Sequence, residues 1–484
     1  MKRLFALLLT IVMLLACCSF ATSEKEKITV PFMITMNPAE EKDLVQAELN
    51  RMLEEKGYNF EVELVGIDFA SWGTQMGLLL SDGSVDLFNC CWMPSMATLA
   101  DNGSIAPLND LLAEYGKGIT DLLGDYMAST TISGTVYGTP KVDAFSGKQL
   151  AFLLKEAVDK AGVNPDDIHD WDSLTVALEK IHEANPDLIT IANNNNGGYI
   201  VFNGADFLGT EDPIGVLILG DGSMEVTNYY TSDVFKTMLA NAKRWAEKGF
   251  FMKDPMNAQD GAFAYMANKQ AACVLGSYAS AEIGLSVQGK TVAQEMYVVE
   301  LEKDSWATSA GVAGMVWCIT SLSNHKEAAM QFLNLLYTDS DITNLICSGI
   351  KDKHYTLFDD GTIAQCEGLD PVTTGWPANM GSFWPNMTNT YPWRPDAPDT
   401  YEQWLKTNES CKRSPAMGFA FDATNVADEI TACAAVVDKY VPSLMLCLGD
   451  QDALYDEFLA ALDAAGLEDI IAEKQAQLDA WAAK

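Results

Sequence analysis

The chain has 484 residues, 48% of them hydrophobic, and its 31 basic and 67 acidic residues give a net charge of −36 at pH 7. This length supplies two or three domains' worth of core, and the composition is that of a globular protein. A surface this acidic repels phosphate backbones and anionic lipids, which argues against nucleic acids and polyanionic substrates and favours a neutral ligand.

The N-terminus has the features of a bacterial export signal. Two basic residues precede an apolar run that is too short to span a bilayer and that leads to Cys17. The string LLAC resembles a lipobox, which predicts removal of residues 1–16, a lipid on Cys17, a tether over residues 17–26 and a position on the outer face of the cell membrane. Ordinary cleavage after Ala21 is the alternative. No later stretch reaches about 18 apolar residues, so no membrane-spanning helix is predicted.

The first part of the chain predicts a parallel sheet covered by helices. The strings KITVPFMIT, NFEVELVGID and VDLFNCCW predict strands, and the helices between them end at Gly57 and near Asp82-Gly83. This β-α-β-α-β order is typical of α/β proteins. A helix in IAPLNDLLAEYG and a tight hairpin in SGTVYGTP follow.

From about residue 147 the pattern begins again. Four aspartates between residues 166 and 172 precede a helix, and we interpret them as capping residues; a calcium loop is the alternative, but its Gly and distal Glu are missing. The string AACVLGSYA predicts a buried strand, SNHKEAAMQFLNLLYTD a helix, and Asp360-Gly361 the turn of a hairpin. Residues 371–404 are rich in Pro and Trp, and the chain after them is helical and acidic.

The motifs of common catalytic sites are weak here. GLSVQGKT at 284–291 fits the phosphate-loop pattern, but its flanks predict helix before and strand after, the reverse of what such a loop needs, so we interpret the match as coincidental. The four histidines lack metal-ligand spacing, and neither a metal nor a cofactor is predicted. A glycosidase needs only two suitably separated carboxylates and is the alternative from the enzyme class.

The string DLFNCCW at 86–92 contains two adjacent cysteines that first suggest redox chemistry. A vicinal disulfide is strained, and the preceding strand is apolar. We interpret Cys90 and Cys91 as small residues at the mouth of a buried strand, Asp86 as a residue that orients the strand, and Trp92 as the residue at the cleft. The ten cysteines other than Cys17 show no disulfide framework; small apolar roles are favoured over disulfides.

The chain resembles the extracellular solute-binding proteins, family 1, of bacterial ABC importers. The similarity is greatest to lipoproteins of an oligosaccharide-binding subgroup that ends in a domain of unknown function. It is carried, in chain order, by LLLSDGSVDLFNCCW, GSIAPLNDLLAEYG, SGTVYGTPK, AGVAGMVWCITSLSNHKEAAMQFLNLLYTD, GIKDKHYTLFDDGTIA, SPAMGFAFD and AGLEDIIAEKQAQLDAW. The resemblance implies an α/β, periplasmic-binding-protein-like fold in which two lobes enclose the ligand. Lobe one would comprise residues 27–146 and 290–340, and lobe two residues 147–289 and 341–484 with a C-terminal helical extension.

The resemblance also implies where a ligand would bind. Tyr278 in Gly-Ser-Tyr matches the G-x-W position at which an aromatic ring stacks on sugar, with Tyr in place of the commoner Trp. Trp92 matches a cleft position after the third strand, and Asp143 follows a strand that crosses into the cleft. A third wall would come from an aromatic loop near the opening, whose candidate residues are Trp376, Asn379 and Trp384. About half of the eleven tryptophans are expected to fill core instead.

Together these features predict a lipid-anchored, monomeric binding protein and not an enzyme. It would capture a neutral oligosaccharide between its lobes and deliver it to the permease subunits of an ABC importer. Stacking of sugar C–H faces on Trp92 and Tyr278 would provide the contacts, with hydroxyl bonds to Asp143 and Asn379. A peptide, amino acid or amine is the alternative ligand, but it calls for a charged clamp and the cleft strings contain little Arg.

Overall fold

A computed structural model gives the fold and describes residues 25–34, 39–91, 93–193, 204–258, 260–278, 286–287, 290–291, 295–302, 304–370, 373–376 and 383–483. The strands in this part of the chain are β1 (Glu26–Ile34), β2 (Phe60–Asp68), β3 (Leu87–Asn89), β4 (Thr131–Ile132), β5 (Thr135–Val136), β6 (Thr139–Pro140), β7 (Lys148–Leu154), β8 (Ile189–Ile191), β9 (Ala205–Asp206), β10 (Leu217–Ile218), β11 (Ala271–Tyr278), β12 (Ser286–Val287), β13 (Lys290–Thr291), β14 (Met296–Glu300), β15 (Trp306–Ala307), β16 (Val316–Ile319), β17 (Tyr355–Leu357), β18 (Ile363–Gln365) and β19 (Lys412–Arg413).

The α-helices in the same residues alternate with these strands. They are α1 (Lys42–Glu55), α2 (Trp72–Asp82), α3 (Met96–Asp101), α4 (Asn109–Tyr115), α5 (Lys117–Leu123), α6 (Lys155–Ala161), α7 (Trp171–Ala184), α8 (Asp233–Glu247), α9 (Ala262–Ala267), α10 (Ser309–Val312), α11 (Lys326–Thr338), α12 (Ser340–Ser348), α13 (Thr400–Ser410), α14 (Ala427–Met445), α15 (Gln451–Ala464) and α16 (Leu467–Ala482). Strands and helices form two lobes, which confirms the predicted α/β architecture.

Lobe one is built on the predicted β-α-β-α-β unit. Strands β1 and β2 pair in parallel, and their last paired residues are Ile34 and Asp68. Strand β16 pairs antiparallel with both β3 and β6, so β3 and β6 run in the same direction. The N–H of Asp86, just before β3, donates to the carbonyl of Thr29 in β1 at 3.0 Å and connects the two groups of strands. Helix α1 covers this layer with buried residues four positions apart, Val45, Leu49 and Leu53.

Lobe two is built on a four-stranded sheet in the order β14-β7-β11-β8. The central strand β7 is buried from Gln149 to Leu154, as expected of a strand with neighbours on both sides. Helix α7 packs on this sheet and begins at Asp170, whose side chain accepts from the N–H of Ser173 while the Ser173 hydroxyl accepts from the N–H of Asp170. This capping box confirms the capping role for Asp170, and Asp172 lies in the first turn of the same helix.

The lobe boundaries differ from the expected ones in two places. Strand β14 was expected in lobe one, but it pairs antiparallel with β7 and belongs to lobe two. Residues 341–411 were expected in lobe two, yet Ile342, Ile346 and Cys411 share one buried core with Leu49 of lobe one. The expectation was therefore wrong here, because the chain stays in lobe one from β15 through α13 and leaves it only at residues 412–415. The C-terminal helices do lie in lobe two, as expected, since α14 to α16 share its core.

Three segments connect the lobes, and we call them crossings one, two and three. They are residues 141–147, between β6 and β7; residues 301–305, between β14 and β15; and residues 412–415, after α13. Strand β15 pairs in parallel with β19, so the ends of crossings two and three lie side by side. Three short connections of this kind are typical of the hinge between two domains.

Two predictions that were made from short sequence strings, a hairpin and a coincidental phosphate-loop match, agree with the structure. The SGTVYGTP hairpin turns between β4 and β5 at Ser133 and Gly134, which both have positive φ, 49° and 82°. In the phosphate-loop match, Lys290–Thr291 form β13 and pair antiparallel with Ser286–Val287 instead of beginning a helix. The interpretation of that match as coincidental is confirmed, because a phosphate loop must lead into a helix N-terminus.

Candidate ligand cleft

Four strands of lobe one end on the same side, although they pair in two separate groups. Asp86, before β3, bonds to Thr29 of β1, and Asn89, at the end of β3, lies beside Met33 of β1 at one small cavity, so β3 runs in the direction of β1. Strands β1 and β2 end together at Ile34 and Asp68, while β3 and β6, which run alike, end at Asn89 and Pro140. Ligands of open α/β sheets bind beyond the carboxyl ends of the strands. We call this edge the cleft edge of lobe one.

The sheet of lobe two begins directly across crossing one. From Pro140 to Lys148, the first residue of β7, the chain advances eight residues and can span at most about 29 Å, so the two residues lie within that distance. Lys148 pairs with Tyr278, the last residue of the antiparallel strand β11. The backbone of Tyr278 therefore lies at the edge of lobe two that faces crossing one; its side chain is outside the described residues.

Asp86 and Asn89 fix the strand that leads to Trp92. One carboxylate oxygen of Asp86 accepts from the N–H of Thr29 at 2.8 Å and the other from the hydroxyl of Ser323, so Asp86 orients the strand as predicted. The buried Asn89 accepts from the N–H of Cys91 at 2.8 Å through Oδ1 and donates through Nδ2 to the carbonyl of Phe383 at 2.9 Å. Sequence reasoning assigned no role to Asn89, although an amide between buried apolar residues is a signal of such a network.

Trp92 itself is outside the described residues, but the backbone before it is well tied down. The carbonyl of Cys91 accepts a 2.9 Å hydrogen bond from the indole Nε1 of the buried Trp72, which begins α2. Neither Cys90 nor Cys91 takes part in a disulfide. The adjacent cysteines thus form no disulfide with each other, and the described chain reaches Cys91 just after the end of β3.

Asp143 lies in the middle of crossing one with about a third of its side chain exposed, 32%, and its Oδ2 is 2.5 Å from the ammonium of the buried Lys141. The neighbouring residue Val142 donates to the carbonyl of Pro385 at 2.7 Å and accepts from the N–H of Met387 at 3.0 Å. The backbone around Asp143 is therefore held firmly, and its carboxylate, on the segment that joins the two edges, is paired with Lys141.

Trp376 and Trp384 are core residues, and the expectation that they form a wall of the cleft needs correction. Trp376 is completely buried, donates from Nε1 to the carbonyl of Ile346 at 3.0 Å and packs on Phe32 with a ring separation of 5.2 Å. Trp384 is 1% exposed and stacks on Trp317 at 5.3 Å. Neither ring has a free face for a sugar. Asn379 lies outside the described residues.

Among the residues that the structure describes, every arginine is paired with another group of the chain, although the ammonium of Lys141 lies in crossing one beside Asp143. Each arginine after the export signal is engaged elsewhere: Arg51 with Glu48 and Glu55 on α1, Arg244 with Asp172 on α7, Arg394 with Asp360 beside a hairpin, and Arg413 with the Tyr126 ring and the carbonyl of Cys411. The residues that the structure describes contain no group of three or more His, Cys, Asp or Glu side chains suited to a metal ion.

Comparisons with known proteins agree with this geometry. A family model described as bacterial extracellular solute-binding protein matches residues 37–341, and a domain of unknown function, DUF3502, matches residues 415–483. A carbohydrate ABC transporter substrate-binding protein of Streptococcus pneumoniae is 25% identical over 468 residues, which cover 90% of this chain and 87% of that protein. An arabinooligosaccharide-binding protein of Bacillus subtilis is 29% identical over 140 residues, or 28% of this chain and 32% of that protein.

Solved structures show the same fold. The N-glycan transport solute binding protein of Streptococcus pneumoniae has a TM-score of 0.78 at 21% identity, with 94% of this chain and 98% of that chain covered. That protein was also solved in complex with Man1GlcNAc, with a TM-score of 0.68, and with Man5GlcNAc, with a TM-score of 0.64, both at 20% identity. These relatives are binding proteins and not enzymes.

Proposed function

The chain belongs to the bacterial extracellular solute-binding protein family, and we propose that it captures a neutral oligosaccharide between its lobes for an ABC importer. The observation that supports this most is the arrangement of two sheet edges across crossing one, with Asp143 between them. Three short connections let the lobes rotate toward each other. A ligand that touches both edges favours the closed state by its differential affinity, and no bond needs to break.

The chemistry of the cleft favours a neutral, polyhydroxylated ligand. The arginines after the export signal are all bound elsewhere, and the net charge of −36 disfavours anions. Trp92 and Tyr278 would stack on opposite faces of the bound sugar, one from each lobe, because sugar rings carry apolar C–H faces. Asp143 and Asn379 would accept or donate hydrogen bonds to hydroxyl groups.

The sugar class follows from the relatives. One relative is named for carbohydrate, another for arabino-oligosaccharides, and a protein of the same fold binds mannose-containing glycans. We therefore infer an oligosaccharide of at least two rings as the ligand of this chain. The DUF3502 segment contributes α14 to α16, which share the core of lobe two, and its residues Met417 and Trp481 line a cavity of about 1200 Å³ together with Thr131 of lobe one.

Membrane attachment is proposed through lipid on Cys17, with the permease subunits as the partners and a monomer as the working form. No helix among the described residues is long and apolar enough to cross a membrane. A Cys17→Ala variant is expected to appear in the culture medium, whereas Cys18→Ala, at the next position, remains with the cells. Equal retention of both variants would contradict the lipid anchor.

Thermal melting with a panel of ligands tests the binding function. A ligand that binds only the folded chain raises the melting temperature as its concentration rises. We expect one or more neutral oligosaccharides to do so, and chromatography should recover the sugar intact. A rise produced only by peptides, amino acids or amines would contradict the sugar assignment, and cleavage of the sugar would favour a glycosidase.

A further inference from the structure

Lys141 is a buried lysine at the start of crossing one, directly after Pro140, the last residue of β6. Only 9% of the residue is exposed. Its backbone N–H donates to the carbonyl of Met315 at 2.9 Å, so this end of crossing one is attached to lobe one. A lysine is rarely buried unless its ammonium is paired, because a charge loses its hydration on burial. The burial of Lys141 beside the cleft edge therefore indicates a specific role.

The ammonium of Lys141 and the side chain of Asn408 hold Asp143 at two places. Lys141 Nζ lies 2.5 Å from Oδ2 of Asp143, while Asn408 Nδ2 donates to the Asp143 carbonyl at 2.6 Å. The backbone of Asp143 and one of its carboxylate oxygens thus have fixed positions, and 32% of the side chain stays exposed. A carboxylate that is oriented before binding loses less entropy when a hydroxyl group donates to it.

The ion pair also sets the net charge that crossing one presents to a ligand. A carboxylate without a partner attracts amines, whereas the pair of Lys141 and Asp143 has no net charge. Like charges repel at short range, so the ammonium of Lys141 opposes a cationic ligand that approaches Asp143. A sugar hydroxyl group carries no charge and still donates to the carboxylate. The pair therefore favours hydroxyl groups over amines.

We propose that Lys141 is a positioning residue that determines specificity: it orients the carboxylate of Asp143 for sugar hydroxyl groups and excludes cationic amino sugars. This inference rests on the proposed function, in which Asp143 bonds to the sugar. It deepens that function by assigning the preference for neutral glycans to one ion pair. Lys141 acts through Asp143 and needs no contact of its own with the ligand.

Calorimetry with matched neutral and cationic glycans tests the preference. The probes are Man5GlcNAc with its de-N-acetylated form, and chitotetraose with the tetrasaccharide of glucosamine. On the neutral glycan that binds better, Lys141→Met should lower affinity about 10-fold, and Lys141→Arg, which keeps the charge, less than about 3-fold. Wild type should prefer the neutral form to its amine form, and Lys141→Met should reduce this preference about 10-fold or more.

A double-mutant cycle separates positioning from a merely structural role. Asp143→Asn removes the charge on which Lys141 acts, so adding Lys141→Met to Asp143→Asn should change affinity less than about 2-fold. The double variant loses both charges and leaves neither buried alone, so this comparison remains decisive even if Lys141→Met by itself fails to fold.

Lys56→Met is the matched control. It removes another ion pair of lobe one, 2.7 Å from Lys56 Nζ to Asp339 Oδ2. Helix α1 runs back from the end of β1 toward the start of β2, so Lys56, just after α1, lies away from the cleft edge. Its affinity for the neutral glycan should stay within about 2-fold of wild type.

The outcomes distinguish this inference from the proposed function. The role of Lys141 is overturned, and the binding function stands, if wild type binds a neutral glycan but Lys141→Met leaves its affinity unchanged. A loss from Lys141→Met that is equally large with and without Asp143→Asn also overturns it, as does a wild-type preference for the amine forms. If wild type binds neither neutral glycan, both proposals fail for these classes of ligand.

Discussion

Asn408 donates a 2.6 Å hydrogen bond from its side-chain Nδ2 to the backbone carbonyl of Asp143, 265 positions earlier in the chain. Its Oδ1 accepts from the N–H of Phe145 at 2.8 Å, so both ends of one buried amide hold crossing one. Asn408 lies at the end of α13, just before crossing three. One side chain therefore fastens two of the three connections between the lobes.

Replacing Asn408 by Ala should destabilise the protein by about 1–3 kcal/mol. The substitution leaves the Phe145 N–H and the Asp143 carbonyl without their partners in a buried place. Urea unfolding measures the change, with Asn425→Ala as the control, because Asn425 is exposed and bonds only at the surface to Glu473. The control should stay within about 0.5 kcal/mol of wild type. Equal stability of the two variants would mean that the hydrogen bonds of the Asn408 side chain contribute nothing to the free energy of unfolding.

Changing Asp143 to Asn should weaken sugar binding about 10-fold. A carboxylate accepts stronger hydrogen bonds from hydroxyl groups than an amide does, by about 1–2 kcal/mol. Calorimetry on the best glycan of the panel measures this. Asp121→Asn removes an exposed carboxylate of lobe one that pairs with Lys117, and its affinity should match wild type. Unchanged sugar affinity of Asp143→Asn would show that Asp143 does not contact the ligand.

Alanine at Trp92 or Tyr278 should each lower sugar affinity about 10-fold or more while the melting temperature without ligand changes little. Each substitution would remove one stacking face, and the two faces come from different lobes. Titration of tryptophan fluorescence on Tyr278→Ala, and calorimetry on Trp92→Ala, give the affinities. Unchanged affinity in both variants would show that the site lies elsewhere, even if the sugar binds.

Trp376→Phe should lower the free energy of unfolding by about 2–4 kcal/mol and keep sugar affinity within about 2-fold of wild type. This is the reverse of the pattern expected for the alanine variants of Trp92 and Tyr278. The variant loses the hydrogen bond to Ile346 and leaves a gap beside Phe32 in the core. Urea unfolding and calorimetry on the same preparation separate the two effects. A large loss of sugar affinity without a loss of stability would contradict the core assignment and indicate that Trp376 contacts the ligand.

Glu302 makes stability depend on pH from within crossing two. Burial raises the pKa of its carboxyl from 4.5 to about 7, so the fold prefers the neutral acid, although a hydrogen bond from Trp171 opposes this shift. The unfolded chain loses this proton first as pH rises; the stability contributed by Glu302 is thus complete below about pH 4.5 and disappears by about pH 7.

Glu302→Gln keeps the shape without the charge and should be more stable than wild type by about 1–3 kcal/mol at pH 8, with the two equal at pH 4.5. Urea unfolding at several pH values measures the difference. The control Glu295→Gln changes a half-exposed carboxylate of the same lobe and should show no such trend. Parallel pH profiles for Glu302→Gln and wild type would contradict the assignment.

Local sequence patterns predicted most of the elements but not how distant segments share a core. Alternation and helix-stop signals gave β1 to β3 with α1 and α2, because those signals lie within a few residues of each element. The continuation of lobe one through residues 341–411 could not be predicted, since it depends on Ile342 and Ile346 sharing a core with Leu49, which is far away in the chain.

Residues of the candidate site were likewise predictable where local sequence patterns place them and not where their positions depend on distant contacts. The edge positions of Asp143 and Tyr278 follow from strand order, which sequence patterns reveal. Trp376 was wrongly assigned to the cleft, because a Pro- and Trp-rich segment gives no periodic signal for burial. Its ring packs on Phe32 of β1, which lies far earlier in the sequence. The amide of Asn408 was missed because its partners lie 263 and 265 positions away.

Small-angle X-ray scattering with and without a saturating glycan tests the central claim most directly, because it measures whether the lobes close on the ligand. The account predicts a smaller radius of gyration on addition of a glycan that calorimetry shows to bind, and no change with a sugar that does not bind. A bound glycan that leaves the radius of gyration unchanged would contradict capture by closure of the two lobes.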